Sequence, residues 1–246
     1  KRRVIYSLRN DPAHMTRRLD RFIGKVIYPS AGTVVFQTQQ AMEFFSTRIR
    51  SKGVVIPNPI RQDLPERFAG KRKKEIAAVG RLAPQKNYPL LLRAFSDIHK
   101  DYPDWKLKIY GEGSLRDDLE QLCRELSLEQ AVEFCGFVPD AVKRMNESGM
   151  FVMSSDYEGI SNAMLEALGS GVPCICTDCP AGGTRAFIRH RQNGLLVPVG
   201  DRKALRDAME ELIMHPEFAG RLSREAVKIR QRLSVSVIAE EWEKTL

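Results

Sequence analysis

Met150-Phe151-Val152-Met153-Ser154-Ser155-Asp156-Tyr157-Glu158-Gly159-Ile160-Ser161-Asn162-Ala163-Met164-Leu165-Glu166-Ala167-Leu168-Gly169-Ser170-Gly171-Val172-Pro173 is the stretch that decides the fold. A short apolar run, Met150 to Met153, passes into a polar loop and then into a helix expected over 161–170. Gly159 opens that helix, and Ser161 and Asn162 can cap it. Pro173 to Cys176 then returns as a second apolar run. Strand, loop, helix and strand joined this tightly describe parallel strands with a helix laid over the sheet. A helix start at the carboxyl end of such a strand directs free N–H groups and a positive dipole end outward, which suits a phosphate.

The same alternation extends in both directions. Strands are expected at Val4 to Leu8, Thr33 to Phe36, Val54 to Ile56, Ile76 to Val79, Leu107 to Tyr110, Val132 to Cys135 and Leu195 to Val197 as well. Helices are expected near 13–27, 39–48, 88–100, 115–127, 140–148, 202–214 and 216–232. This is a doubly wound α/β layout with a parallel sheet. Pro57-Asn58-Pro59, Leu64-Pro65 and Lys71-Arg72-Lys73-Lys74 fit neither a helix nor a central strand. The expected organisation is therefore a domain remnant with its hinge over 1–64, a basic linker over 65–74 and a complete domain over 75–233. A final amphipathic helix over 234–246, with Val235, Ile238, Ala239, Trp242 and Leu246 at helical spacing, is expected to pack back on the front part.

The 246 residues are enough for one large domain or two small ones. The formal charge of +8 is unevenly spread. Residues 1–70 hold 13 Lys/Arg against 5 Asp/Glu, and the remainder is balanced. A uniformly basic coat for nucleic acid is thereby excluded, while a local basic face over residues 1–25 is open to an anionic membrane surface. Five sparse cysteines argue against a disulfide scaffold and for a reducing, cytoplasmic compartment. No apolar run approaches the ~20 residues of a membrane span. The chain opens on Lys1-Arg2-Arg3 directly before a strand-like run, so it is expected to be the later part of a longer protein.

Two constellations can carry chemistry. Glu158 in the loop and Glu166 eight residues on flank the helix start. In helical geometry they lie about 12 Å apart, too far to act on one bond but suited to a ligand with hydroxyls at both ends and a diphosphate between. The second is Val79-Gly80-Arg81-Leu82-Ala83-Pro84-Gln85-Lys86-Asn87-Tyr88-Pro89, where a strand again ends in Gly and Asn87 can cap a helix that tolerates Pro89 in its first turn. Arg81 and Lys86 could neutralise a diphosphate leaving group without a metal. The alternative for these four residues is a set of solvated loop and helix-end charges. The sequence contains no Asp-x-Asp pair to hold a cation on a phosphate, and Asp156-Tyr157-Glu158 is the nearest approach.

Gly80-Arg81-Leu82 with Gln85-Lys86-Asn87, Tyr110-Gly111-Glu112-Gly113-Ser114-Leu115-Arg116, Phe134-Cys135-Gly136-Phe137, and Glu158-x7-Glu166 with Gly171-Val172-Pro173 form an ordered set. The set resembles the donor-binding domain of retaining glycosyltransferases of family 4, the group 1 glycosyl transferases. Arg9-Asn10-Asp11-Pro12, Val35-Phe36-Gln37-Thr38 and Ile56-Pro57-Asn58-Pro59 resemble the end of that family's N-terminal domain and its hinge. The resemblance implies the C-terminal half of a glycosyltransferase-B architecture, with a Rossmann-like donor domain and the acceptor held by the N-terminal one. It further implies that Arg81 and Lys86 bind the donor diphosphate, that Glu158 contacts hydroxyls of the transferred sugar and that Glu166 bonds the ribose. Gly80 would lie at the donor, Gly159, Ile160, Ser161 and Asn162 would present N–H groups to the phosphates, and Phe137 would fall near the base.

The implied activity is transfer with retention, independent of metal or cofactor, since the nucleotide sugar is a substrate. The expected donor is a UDP-sugar, with GDP-mannose as the alternative. The expected acceptor is a saccharide or a polyprenyl-diphosphate-linked glycan. The first strands and Gly-rich acceptor loop of the family's N-terminal domain are absent from this sequence, so the isolated chain is expected to be inactive. A non-catalytic nucleotide-binding or scaffold module of the same fold is the competing class. A nicotinamide site is disfavoured, because Gly111-x-Gly113 lacks the third glycine and sits mid-series. Cys174-x-Cys176-x-x-Cys179 lacks a nearby His or second Cys pair, and reads as strand packing rather than as a zinc site.

Overall fold

The computed structural model describes residues 4–9, 12 and 26–245. The helix expected over 13–27 lies outside them except at its last two residues, as do Lys1, Arg2, Arg3, Arg17, Arg18, Arg21 and Lys25 of the basic front segment. Two parallel sheets make up the described residues. The front sheet has the order β1-β2-β3, formed by Ile5–Leu8, Thr33–Phe36 and Gly53–Val55. The back sheet has the order β6-β5-β4-β7-β8-β9. Its strands are Lys73–Val79 (β4), Lys106–Tyr110 (β5), Val132–Gly136 (β6), Ser148–Met153 (β7), Cys174–Thr177 (β8) and Leu195–Val197 (β9).

In the back sheet the chain winds outward from β4 to β6, returns to pair β7 with β4, and then winds outward the other way. The strand order therefore reverses between β4 and β7, the point where open α/β sheets leave a crevice beyond the carboxyl ends of their strands. Alternation along the strands explains the two layers. Ile76 and Ala78 of β4 and Met150 and Val152 of β7 enter one apolar cluster, while Ala77, Phe151 and Met153 enter the other. Helices Tyr88–Asp101, Arg116–Glu125 and Arg202–Met214 cover the first face, and Ala141–Met145 and Asn162–Gly169 the second.

Cys174 and Cys176 are fully buried on the second face, and burial pushes both thiols up. The front sheet has a small core of its own from Leu8, Tyr28, Ala31, Val34, Phe36 and Ile49. Its other face, with Val35, Ile5 and Val54, joins the second cluster of the back sheet. Ile238 and Trp242, from the last helix Val235–Glu243, belong to that same cluster.

Three expectations need correction. The segment 65–74 is not a free linker. Lys73 and Lys74 open β4, pairing with Glu147 and Asp104 on the solvent side, and Arg72 donates to the carbonyls of Asn146, Ser148 and Gly171. Burial, with the Arg67 charge nearby, lowers the Arg72 guanidinium to about 10. The helix expected over 39–48 is two pieces, Gln39–Glu43 and Thr47–Arg50, because Ser46 is extended (φ −60°, ψ 156°) and starts a new turn. The helix expected over 216–232 likewise divides into Pro216–Ala226 and Ile229–Arg232.

Candidate active site

The loops after β4 and β7 meet at the reversal of strand order and are tied together by their own polar groups. Asn87 adopts a left-handed conformation (φ 43°, ψ 48°), which a short polar side chain tolerates best after Gly. Its Oδ1 accepts from Leu90 N at 3.2 Å, capping the helix Tyr88–Asp101, and its Nδ2 donates to Asp156 at 2.7 Å. The Gln85 amide donates to the Tyr157 carbonyl at 2.8 Å, and Ser154 Oγ donates to the carbonyls of Lys86 and Asn87. Gly183 lets the 179–184 loop press on this wall, since a Cβ there would fall on the Gly159 carbonyl. Tyr88 donates to the Gly80 carbonyl at 3.0 Å, and burial, with Glu158 nearby, raises its phenol above the ordinary range.

This frame holds a buried ion pair. Lys86 Nζ lies 2.5 Å from Glu158 Oε1, with the two side chains only 15% and 9% exposed. Ser155 Oγ donates to the same oxygen at 2.8 Å. Both bonds fall on Oε1, leaving Oε2 as the acceptor available to a ligand hydroxyl. Arg81 is exposed, and among the described residues its guanidinium has no hydrogen-bond or ion-pair partner. Ser161 caps the helix Asn162–Gly169 by accepting from Met164 N, which places the free N–H groups of that helix at the cleft.

The cleft encloses about 840 Å³ and is lined by Gly80, Arg81, Lys86, Glu158, Gly159, Ile160, Ser161 and Asn162, eight of the ten residues singled out in the sequence. The other two face neighbouring hollows. Phe137, 72% exposed, lines one of about 380 Å³ with Tyr110, Gly111 and Glu112, and this hollow shares Val79, Gly80 and Arg81 with the cleft. Glu166 lines another of about 380 Å³ with Arg61, and this one shares Arg9, Asn58 and Asn162. Burial raises the Glu166 carboxyl, and the Arg61 guanidinium opposes that shift.

The helical separation expected between Glu158 and Glu166 does not apply, because Glu158 precedes the helix. Nor are Lys86 and Glu158 independent groups; they are one pair. Sequence reasoning did not single out the residues that hold the pair and the loops, Ser155, Gln85 and Asp156, or Arg61. The front sheet also contributes Ser7, Leu8, Arg9 and Gln37 to the cleft, which only parallel pairing of β1 with β2 could have suggested. No group of three or more His, Cys, Asp or Glu that could hold a metal ion occurs among the described residues, and none of their helices is long and apolar enough to cross a membrane.

A family model described as glycosyl transferases group 1 matches residues 60–229, well over half of the chain. The chain belongs to the group 1 glycosyl transferases. An uncharacterized glycosyltransferase of Haemophilus influenzae is 26% identical over 92% of this chain and 64% of its own length. A Campylobacter jejuni N-acetylgalactosamine-N,N'-diacetylbacillosaminyl-diphospho-undecaprenol 4-alpha-N-acetylgalactosaminyltransferase is 35% identical over 58% of this chain and 38% of its own length. The chain thus spans less than two thirds of these relatives. Among solved structures, Anabaena HepE in complex with UDP matches with a TM-score of 0.88 at 21% identity, over 99% of this chain and 72% of that one. The pneumococcal O-GlcNAc transferase GtfA in complex with UDP and GlcNAc matches at 0.85 and 20% identity, over 99% and 52%. The α/β, Rossmann-like, glycosyltransferase-B expectation is the observed fold.

Proposed function

We propose that this group 1 glycosyl transferase chain binds a nucleotide-sugar donor, a UDP-sugar rather than GDP-mannose, in the cleft beyond β4 and β7. The observation that carries the reading is the buried Lys86–Glu158 pair beside the unpaired Arg81 and the start of helix Asn162–Gly169. A diphosphate would be met by Arg81, Lys86 and the N–H groups of 159–162, and Oε2 of Glu158 would take a hydroxyl of the transferred sugar. Glu166 would accept from the ribose and Phe137 would lie along the base. UDP in the HepE and GtfA structures supports that donor.

In the complete protein, the bond from the anomeric carbon to the diphosphate breaks as the acceptor oxygen bonds the same face. The acceptor's proton leaves with the diphosphate, whose charge Arg81 and Lys86 stabilise without metal or cofactor. The acceptor would be a saccharide or a polyprenyl-diphosphate-linked glycan, reached from the cytoplasmic face of a membrane. The diphospho-undecaprenol acceptor in the Campylobacter relative's name supports that choice.

Calorimetric titration of the chain with UDP and GDP tests the donor reading. UDP is expected to bind more tightly than GDP, in the presence of EDTA, and Arg81→Ala is expected to weaken it about tenfold. A folded chain that binds neither nucleotide would overturn the donor reading and leave a non-catalytic scaffold of the same fold.

A further inference from the structure

A hollow of about 180 Å³ between the turn 186–193 and the short helix Ile229–Arg232 is lined by Phe187, Arg189, Asn193, Lys228, Ile229 and Arg232. It shares no residue with the cleft or with the two hollows beside the cleft. Phe187 and Ile229 are buried and give it apolar surface. The Arg232 guanidinium stacks on the Phe187 ring, 5.3 Å from its centroid, and donates from Nη2 to the Ala186 carbonyl at 3.2 Å. Those contacts hold the fork in place, and its Nε and Nη1 have no partner among the described residues. Arg189 is exposed, and among the described residues its guanidinium has no hydrogen-bond or ion-pair partner. The turn that carries Arg189 is fixed from within. Asn193 Oδ1 accepts from Arg189 N at 2.7 Å, and Asn193 Nδ2 donates to the Phe187 carbonyl at 2.9 Å. Arg191, at a left-handed φ of 63°, is tied by both Nη atoms to Glu211 at 2.9 and 2.6 Å. A bulky residue takes that conformation only where its surroundings enforce it.

Charge and size narrow what can bind. Lys228 is neutralised by Glu225, whose two carboxylate oxygens it meets at 2.8 and 2.7 Å. Arg189 and Arg232 are then two unopposed positive charges at one hollow. A phosphate monoester brings about −1.5 to −2 charges and three acceptor oxygens, whereas a carboxylate would leave one of the two cations unmatched. The volume is below the roughly 300 to 1,000 Å³ of sites that enclose a whole organic ligand, so the hollow suits a phosphate head rather than a nucleotide. The same short helix also anchors the segment that leads from the front sheet to β4. Arg230 donates to the carbonyls of Gly169 and Pro65 and pairs with Glu66 at 3.0 Å, and the Leu233 carbonyl accepts from Ile60 N at 2.8 Å. We infer that this hollow is a second phosphate site, separate from the donor cleft, which takes the phosphate of a monoester and whose occupant braces the helix that anchors residues 60–66.

Inorganic phosphate titrated into the chain, with UDP and EDTA present, tests this by NMR of the backbone amides. Saturable shifts are expected at residues 186–193 and 228–233. Affinity should fall about tenfold in Arg189→Gln and in Arg232→Gln, and stay unchanged in Arg81→Gln. Arg189 has no polar side-chain partner to lose, so Arg189→Gln should keep the wild-type melting temperature, which separates lost binding from lost folding. Hydrogen exchange at Ile60 N should slow about threefold or more when phosphate is bound. Vesicles of phosphatidylcholine with phosphatidic acid, whose headgroup is a phosphate monoester, distinguish the sources. Sedimentation that is lost in Arg189→Gln and Arg232→Gln assigns a lipid headgroup, and sedimentation equal to wild type in both assigns a soluble phosphate ester.

Shifts that grow with phosphate without saturating, or that persist unchanged in both variants, overturn the site and leave Arg189 and Arg232 as solvated surface charges. So do shifts confined to residues 80–86 and 158–162, which would give the phosphate to the cleft. Saturable binding at 186–193 with no slowing at Ile60 keeps the site and overturns the bracing. A chain that shows the shifts at 186–193 but never binds UDP keeps the site and loses only the donor reading.

Discussion

The two walls of the cleft are built differently. On the back wall, Arg81 apart, the loop side chains are committed to one another: Lys86 and Ser155 to Glu158, Asn87 to Asp156, Gln85 to Tyr157, Ser154 to two carbonyls. On the front wall Gln37 Oε1 is buried without a hydrogen-bond partner, and among the described residues Arg9 has one neutral contact. The back wall rests on a six-stranded sheet with helices on both faces, whereas the front wall rests on three strands and a small core. A wall whose bonds are satisfied internally is preorganised, and its electrostatics need no rearrangement when a ligand arrives. Under the proposed donor reading, the diphosphate would meet the rigid side.

The largest effect expected from breaking this arrangement is at the ion pair. Glu158→Gln leaves Lys86 charged, mostly buried and unpaired, which should cost about 3 kcal/mol of stability in urea unfolding. Adding Lys86→Met to Glu158→Gln should restore most of it, because the uncompensated charge is then gone. If Glu158→Gln costs no more than a surface substitution, the back wall is not held by this pair and the contrast between the walls fails.

Asn87 comes next. Asn87→Ala removes the cap on the helix Tyr88–Asp101 and the bond to Asp156, and puts a side chain poorly suited to it at φ 43°. A loss of about 2 kcal/mol is expected, and Asn87→Gly should recover part of it, since Gly relieves the backbone but cannot cap or bridge. UDP affinity measured on both variants would sharpen the comparison. If the loops are preorganised through Asn87, both should bind UDP more weakly than the wild-type chain.

The strands were the legible part of the sequence. Thr33–Phe36 and Leu195–Val197 occur as their β-branched and apolar runs suggest, and the helix Arg202–Met214 begins where Asp201 can cap it and does. The eight cleft residues were legible through the loops that follow β4 and β7. Their mutual contacts were not. Lys86 and Glu158 are 72 residues apart, and only the return of β7 to the side of β4 brings them together, which no local spacing encodes. Lys73 and Lys74 were opaque for a related reason. A cationic run suggests a linker until a strand edge supplies Glu147 and Asp104 as partners and leaves the ammonium groups in solvent. The orphaned oxygen of Gln37 depends on side chains around it, and nothing in Val35-Phe36-Gln37-Thr38 marks it.

The smallest effect is expected at the joint between the sheets, and it is the most discriminating. Thr38 Oγ1 donates to the Ala181 carbonyl at 2.7 Å and accepts from Ala41 N at 3.0 Å, so one hydroxyl caps the helix Gln39–Glu43 and ties the front sheet to the loop that presses on Gly159. Thr38→Val keeps the shape and removes both bonds, for an expected loss of about 1 kcal/mol, while Thr38→Ser should stay close to wild type. Hydrogen exchange should then accelerate over residues 33–43 and remain slow at β4 and β7, because the apolar cluster on the first face of the back sheet contains no front-sheet residue. A back wall that is rigid on its own account should leave UDP affinity in Thr38→Val within about twofold of wild type, a shift below about 0.5 kcal/mol. If UDP affinity instead falls in step with stability, the rigidity of the back wall is borrowed from the front sheet through the 179–184 loop, and the two walls form one cooperative unit.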